Sequence, residues 1–228
     1  MDTSTSYLGL NLPHPFMAGA SPMGYSLDAI KRLEDAGCAA IVLHSLFEEQ
    51  ISLAIEGRVA HIDPLDPQMG GKVSAFPAPA DYKYGPDGYA NHIVKVKQAV
   101  RIPVVASLNG HSGESWLRFA RIIEQAGADA LEFNYYDVAT SLKIPSGALE
   151  ENIVHAVQNL TRAIAIPVAV KLTPYYTAFG HLAAALDRAG ASGLVLFNRF
   201  YQSNVDTRTM ALVPQAELST NAELPLRL

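Results

Sequence analysis

A pattern that occurs three times limits the fold of this chain more than any other feature. In each copy an amphipathic stretch ends at Ala-Gly and an apolar run begins shortly afterwards, over Leu33–Leu43, Ile123–Phe133 and Leu186–Leu196. Glycine suits the left-handed position after a helix C-terminus, and the apolar run has the length of a buried strand. A helix-to-strand joint that recurs along a chain indicates consecutive βαβ units.

A second pattern alternates with the first. Ile102–Ser107 and Ile166–Lys171 each begin with Ile-Pro. Proline suits the first residue of a strand, where no ladder N–H is needed. A helix is predicted from Leu27 with Ser26 as its N-cap, and a late loop strand over Met210–Val213. The six main strands are predicted over Phe16–Gly19, Ala40–His44, Val104–Asn109, Ala130–Asn134, Val168–Thr173 and Gly193–Asn198.

Six strand–helix units are fewer than the eight of a (β/α)8 barrel. One interpretation is a six-stranded open sheet, which can also bind ligands at its strand ends. The interpretation we favour is an incomplete TIM barrel with six of eight βα units, because an open sheet here leaves two strand edges unpaired. Residues 1–228 would then be a single barrel domain that lacks the last two units, and residues 45–85 a long loop over the barrel mouth.

Composition narrows the class of protein. With 228 residues, 49% of them hydrophobic, the chain can bury one large core. A formal net charge of −5 without a basic block argues against nucleic acid. The single cysteine excludes an internal disulfide, and no Cys/His cluster has metal-site spacing. No apolar run reaches the roughly 18 residues of a membrane span. We expect a cytoplasmic protein with a small-molecule substrate, no metal and no membrane or nucleic-acid partner; a homodimer stays open.

Polar residues collect in the C-terminal halves of four successive predicted strands, which is where barrel enzymes keep their sites. An unpaired buried ammonium costs roughly several kcal/mol, so Lys171 either forms an internal ion pair, with Glu132 as the partner, or faces a ligand. Because alternate residues of a strand point the same way, one face is predicted to carry Ser107, Asn109, Glu132, Asn134, Lys171 and Asn198.

This set of side chains suits a planar ligand. Asparagine can both donate and accept hydrogen bonds, and Lys171 can stabilise negative charge that develops on the ligand. A flavin ring meets this description, with the cofactor supplying the hydride chemistry. The same residues provide no obvious nucleophile–base pair.

Several of these residues resemble motifs of the dihydroorotate dehydrogenase family, FMN enzymes built on a (β/α)8 barrel. Asn11–Met17 is similar to the first strand of the family, and Glu132–Asn134 to its Glu-Leu-Asn motif. Val170–Leu172 resembles its lysine-bearing strand, and Asn198 resembles the substrate-facing asparagine that ends its sixth strand. The similarity covers nearly the whole chain, and Ala106–Gly110 and Leu196–Tyr201 resemble the branch described only as dihydroorotate dehydrogenase-like.

The resemblance implies a flavin-dependent dehydrogenase that acts on CH–CH groups and transfers hydride between flavin and a small, orotate-like substrate, in pyrimidine biosynthesis. It implies a substrate contact for Asn198, and we also expect one for His44, whose ring could donate to the flavin or the substrate. The FMN contacts that it implies are Gly19, Ala20, Ser21, Asn109, Asn134 and Lys171.

Two positions differ from the family motifs. Asp137 stands where the family has a catalytic Cys or Ser, and His44 stands where it has a second lysine. We expect the catalytic group to be Asp137, Lys171 and His44, with Asp137, His44 or a tyrosine moving the proton. Two alternatives stay open: a non-catalytic or divergent barrel protein that keeps a ligand pocket, and a lyase or isomerase with a Schiff base at Lys171.

Overall fold

A five-stranded parallel sheet organises the molecule, and strands that follow one another in the chain are neighbours in the sheet. The computed structural model describes residues 1–47, 85–110, 115–135, 141–198, 204–213 and 220–226. The strands of the sheet are β3 (Ile41–Phe47), β4 (Val104–Gly110), β5 (Ala130–Tyr135), β6 (Val168–Leu172) and β7 (Gly193–Leu196).

Helices occupy the connections between these strands, as the repeated pattern predicts. The helices are α1 (Leu27–Asp35), α2 (Pro86–Ala99), α3 (Ser115–Gln125), α4 (Ser146–Ala163) and α5 (Phe179–Arg188). Ser26 caps α1 as predicted, since its side chain accepts from Ala29 N. The glycines of the three Ala-Gly joints have φ of +91°, +91° and +98°, the left-handed conformation expected after a helix.

Two antiparallel hairpins and two short 3₁₀ helices complete the described part of the chain. Strands β1 (Thr5–Tyr7) and β2 (Leu10–Leu12) form a hairpin that the sequence analysis does not predict. Strands β8 (Asn204–Asp206) and β9 (Ala211–Val213) form the other, and β9 confirms the predicted late strand. The 3₁₀ helices are η1 (Pro22–Tyr25) and η2 (Asn221–Leu226).

The predicted first strand is reduced to a single parallel bridge. Ala18 N donates to Ala40 O at 3.0 Å and Val42 N donates to Ala18 O at 2.8 Å, which places this segment beside β3. The order of elements therefore follows the prediction. The α/β class with a parallel sheet is confirmed, and the (β/α)8 barrel with six of its eight units remains a prediction.

The two faces of the sheet differ in what covers them. The large hydrophobic core lies between the sheet and the helices. On the other face, here called the inner face, a small apolar cluster contains Leu8, Val42, Val105, Ala130 and Ala169.

The β1–β2 hairpin packs on this inner apolar cluster. A side chain at Gly193 would meet Leu8 Cδ2 at 3.0 Å and Tyr7 Cε2 at 3.1 Å, so the glycine makes room for the hairpin. The residues of the cluster come early in their strands. The polar residues further along each strand are therefore left as the inner surface near the C-terminal strand ends.

Two helix glutamates accept hydrogen bonds from the backbone of the two Ile-Pro segments that precede β4 and β6. Glu34 Oε1 accepts from Arg101 N at 2.6 Å and from Ile102 N at 3.2 Å. Glu124 Oε1 accepts from Ala165 N at 2.6 Å and from Ile166 N at 3.1 Å. These N–H groups precede strands β4 and β6 and lack a ladder partner, so each carboxylate satisfies two donors and fixes where the strand begins.

None of the helices within the described ranges is both long and apolar enough to cross a membrane.

Candidate functional site

The register of the sheet brings the predicted polar row together on strands β4 to β6. Ser107 lies beside Glu132, Asn109 beside Asn134, and Asn134 beside Lys171. Neighbouring strands of a sheet are roughly 4.8 Å apart, so these side chains are within reach of one another. The prediction that they share one face is confirmed for these three strands.

Lys171 and Glu132 form an ion pair within this row. Lys171 Nζ lies 3.3 Å from Glu132 Oε1, and the side chains are 19% and 5% exposed. Ser107 Oγ donates to the same carboxylate oxygen at 3.4 Å. The internal ion pair is therefore confirmed. Lys171 stays partly exposed, and its role in facing a ligand remains a prediction.

The negative charge of Glu132 also acts on the N-terminal hairpin. Burial raises the pKa of Tyr7 to about 12, with a further contribution from the Glu132 carboxylate. Tyr7 also packs against the inner apolar cluster, so it borders the inner face of the sheet, a position that the sequence does not predict.

Two asparagines meet at the end of the row. Asn198 Nδ2 donates to Asn134 Oδ1 at 3.0 Å, and Asn198 N donates to Leu172 O at 2.7 Å. Because the oxygen of Asn134 accepts from Asn198, its nitrogen is directed elsewhere as a donor. The hydrogen bond therefore fixes the orientation of the Asn134 amide on the inner face, near the C-terminal end of β5.

Strict alternation of side chains along β7 would not place Asn198 on the inner face. In β7, Val195 is opposite Lys171 and packs in the inner cluster. Leu196 and Phe197 both pack on the helix-side core, so alternation is broken after the strand ends. Asn198 is thereby placed on the side that faces Asn134.

A bulge in β3 changes which residue joins the row. The register shifts between Val42 and Ser45, so that Ser45 lies opposite Ser107 with 2.8 Å between their Oγ atoms. His44 instead stacks on Tyr25 of η1, with ring centroids 3.7 Å apart, and meets the edge of Tyr89 at 5.0 Å. The structure brings Ser45 into the row and places the ring of His44 among residues of η1 and α2; its predicted catalytic and substrate roles stay predictions.

Tyr89 of α2 fills the interruption that the bulge makes in the ladder. Its hydroxyl donates to His44 O at 2.8 Å and accepts from Ser107 N at 3.0 Å, and the residue is 1% exposed. Burial raises the pKa of this hydroxyl, which therefore stays protonated. The sequence carries no signal for this role, because a tyrosine on an apolar helix stripe looks like any core residue.

The remaining predicted site residues fall in two groups. Gly19, Ala20 and Ser21 follow the Ala18 bridge, and Ala20 packs against the inner cluster, so this turn borders the same face. Asp137 lies outside the described residues, as do residues 48–84 of the predicted long loop. Among the described residues no three His, Cys, Asp or Glu side chains are grouped to hold a metal ion.

Comparison with known proteins finds distant relatives that cover most of the chain. The chain is 24% identical over 200 residues to the NAD-dependent dihydropyrimidine dehydrogenase subunit PreA of Escherichia coli, covering 86% of this chain and 48% of that protein. It is 23% identical over 225 residues to dihydroorotate dehydrogenase A (fumarate) of Lactobacillus delbrueckii subsp. bulgaricus, covering 92% and 67%. It is 26% identical over 198 residues to the catalytic subunit of dihydroorotate dehydrogenase B (NAD(+)) of Thermoplasma volcanium, covering 85% and 62%.

These similarities support the predicted resemblance to dihydroorotate dehydrogenases. The chain spans about half the length of the PreA subunit and about two thirds of the dihydroorotate dehydrogenases. No protein-family model matches the chain. The FMN-dependent branch and the missing C-terminal units stay predictions.

Two solved structures show partial similarity in backbone. A Pseudomonas aeruginosa protein assigned as a dihydrodipicolinate synthetase superimposes with a TM-score of 0.46 and 16% identity, covering 78% of this chain and 52% of that chain. A Burkholderia cenocepacia protein assigned as a phosphonomutase gives 0.47 and 16%, covering 80% and 68%. Scores below 0.5 do not establish a shared fold.

Proposed function

We propose that the chain is an FMN-dependent oxidoreductase of the dihydroorotate dehydrogenase type, which transfers hydride between flavin and a small, planar, orotate-like substrate in pyrimidine biosynthesis. One observation carries the proposal. The ion pair of Lys171 with Glu132 and the amide pair of Asn134 with Asn198 lie on one face, near the C-terminal ends of adjacent parallel strands. The similarity to dehydrogenases over most of the chain supports it.

The donors and acceptors of the row fit the edge of a flavin ring. That edge presents carbonyl and N–H groups in one plane, and the amides of Asn109, Asn134 and Asn198 can match both kinds of group. The Lys171 ammonium has three N–H donors, and Glu132 accepts one of them, which leaves others for a ligand carbonyl. When bound, FMN would supply the hydride chemistry.

The polar network gives Lys171 a fixed place. Glu132 accepts hydrogen bonds and donates none, so Ser107 points its hydroxyl at the carboxylate and Lys171 approaches it from the next strand. A preoriented positive charge stabilises an anionic ligand without reorganising during the reaction. In this proposal Lys171 therefore stabilises negative charge on the flavin, and Glu132 orients Lys171.

Proton transfer belongs to a residue other than those of the row. Asp137 remains our candidate, since it follows β5 by two residues and corresponds to the base of the family motif. A carboxylate serves as a base toward a carbon acid only if burial raises its pKa.

The protein acts on its small-molecule substrate in the cytoplasm, without nucleic acid or membrane as a partner.

The proposal includes a barrel fold. In (β/α)8 barrels the loops after the last strands hold the cofactor phosphate. The row described here would then bind the ring of the flavin, and the phosphate would bind at such loops.

Turnover of the full-length protein tests the proposal. The protein, loaded with FMN and mixed with dihydroorotate or dihydropyrimidines without oxygen, is expected to lose its visible flavin absorbance. Asp137→Asn is expected to keep the flavin and to slow this loss about 100-fold or more. Bound flavin that no substrate of this class reduces points instead to a barrel protein that only binds a ligand, and a protein that ignores added FMN contradicts the proposal outright.

A further inference from the structure

A hydrogen bond connects α2 to the segment that precedes α1. His92 Nε2 lies 2.6 Å from Gly24 O, which joins residues 68 positions apart in the chain. A carbonyl oxygen only accepts, so the ring nitrogen is the donor. His92 is 6% exposed, and burial lowers its pKa, so the imidazole is neutral at pH 7 and its proton is on Nε2.

The same segment is held from its other side by β3. A side chain at Gly24 would stand 2.8 Å from His44 N, closer than carbon atoms approach backbone in folded proteins. The ring of Tyr25 stacks on that of His44. The 3₁₀ helix η1 is therefore clamped between α2 and β3, and only glycine fits at the point of closest approach.

The clamp extends to the turn that borders the inner face. Gly24 N donates to Ser21 O at 3.0 Å, so the position of Gly24 fixes the end of the turn formed by residues 19–21. Ala20 of this turn packs on the inner apolar cluster. A shift of η1 therefore moves the turn along the same face that carries Lys171.

We propose that His92 is a positioning residue for ligand binding: through its bond to Gly24 it holds the turn of residues 19–21 at the inner face, where the turn contacts the flavin. This inference rests on the proposed function. His92 itself stays behind η1, on the helix side of the sheet, and touches no ligand. His92 thereby lowers the free-energy cost of binding, because a turn that is already ordered loses less conformational entropy when the ligand binds.

Two substitutions loosen the clamp from opposite sides, and each has a matched control. His92→Ala removes the donor, and Gly24→Ala pushes η1 away from β3. His155→Ala removes an exposed histidine of α4, and Gly147→Ala adds a methyl group where nothing lies within 4 Å. His92→Gln keeps an N–H donor at a similar reach and is the rescue variant.

The experiment measures two quantities on the full-length protein. Hydrogen exchange reports the opening of residues 22–26, and flavin fluorescence gives the Kd for FMN. We expect His92→Ala and Gly24→Ala to speed exchange in this segment and to raise the Kd about tenfold, while His92→Gln and the two controls stay within about threefold of the wild type.

Each failure has its own signature. Unchanged exchange at residues 22–26 in His92→Ala means that the bond does not hold η1, which overturns the inference. Faster exchange with an unchanged Kd means that the held turn does not serve FMN, which overturns it as well. A wild-type protein that binds no FMN overturns the proposed function and this inference together, and is recognised before any variant is made.

Discussion

Removing one hydroxyl group, in Tyr89→Phe, tests how the site is built. The bulge in β3 takes His44 O and Ser107 N out of ordinary ladder pairing, and the Tyr89 hydroxyl is the partner of both, at 2.8 and 3.0 Å. Phenylalanine keeps the ring and the packing of α2. The substitution therefore isolates the hydroxyl, which accounts for the register that places Ser45 beside Ser107.

The expected cost follows from the two backbone groups that lose their partner. Leaving one buried polar group unsatisfied costs about 1–3 kcal/mol, and relaxation makes two neighbouring groups cost less than twice that, so we expect about 3 kcal/mol. Stability of a domain is about 5–15 kcal/mol, so this is a large fraction. For a chain of this size it corresponds to a Tm about 6–12 °C lower.

Chemical and thermal unfolding of the two proteins measure this difference. Tyr7→Phe is the matched control, because within the described ranges the Tyr7 hydroxyl makes no hydrogen bond, and its free energy of unfolding is expected within about 0.5 kcal/mol of the wild type near pH 7. If Tyr89→Phe is as stable as Tyr7→Phe, the hydroxyl does not bridge the bulge, and the account of how Ser45 enters the row is wrong.

Three further predictions concern charges. Lys171→Met leaves the buried Glu132 carboxylate without its cation and is expected to lower the free energy of unfolding by about 2–3 kcal/mol, less than for a fully buried pair because Lys171 is partly exposed. In a double-mutant cycle, Lys171→Met/Glu132→Gln should recover part of this loss. Strict additivity of the two substitutions would contradict the ion pair. The folded-state pKa of Tyr7, about 12, lies above the unfolded value of 10.0, so its contribution to stability is complete below pH 10 and is lost as the pH rises to 12. Unfolding at several pH values should show a smaller alkaline loss in Tyr7→Phe, and an equal loss would refute the shift. Glu34→Gln and Glu124→Gln each weaken two hydrogen bonds from backbone N–H groups and should lower the free energy of unfolding by about 1 kcal/mol. Glu151→Gln, on the exposed side of α4, is the control and should leave it unchanged. Equal unfolding midpoints for all three variants would mean that Glu34 and Glu124 do not fix where the strands begin.

The features that local sequence determines are the ones that the sequence predicts. A left-handed residue after a helix needs glycine, so Gly37, Gly127 and Gly190 mark the three joints correctly. A regular strand alternates with period two, so the shared face of Ser107, Glu132 and the other residues of β4 to β6 follows from spacing alone.

The features that depend on tertiary contacts are the ones that it misses. The backbone at the bulge in β3 is hydrogen-bonded by Tyr89, which lies on a helix about 45 residues away. The residues around Val42 carry no sequence signal for this bulge. For this reason the sequence does not predict that Ser45 joins the row beside Ser107. The β1–β2 hairpin was missed because its three-residue strands are too short to show a period, and it is stabilised by packing on Gly193.

The affinity of the full-length protein for FMN, compared between the wild type, Asn134→Ala and Asn91→Ala, shows whether the flavin binds at the inner face. Asn134 lies in the row with its oxygen on Asn198, whereas Asn91 is exposed on α2. We expect Asn134→Ala to raise the Kd about tenfold or more and Asn91→Ala to leave it unchanged. Equal affinities in the two variants and the wild type would mean that the flavin does not bind at the inner face.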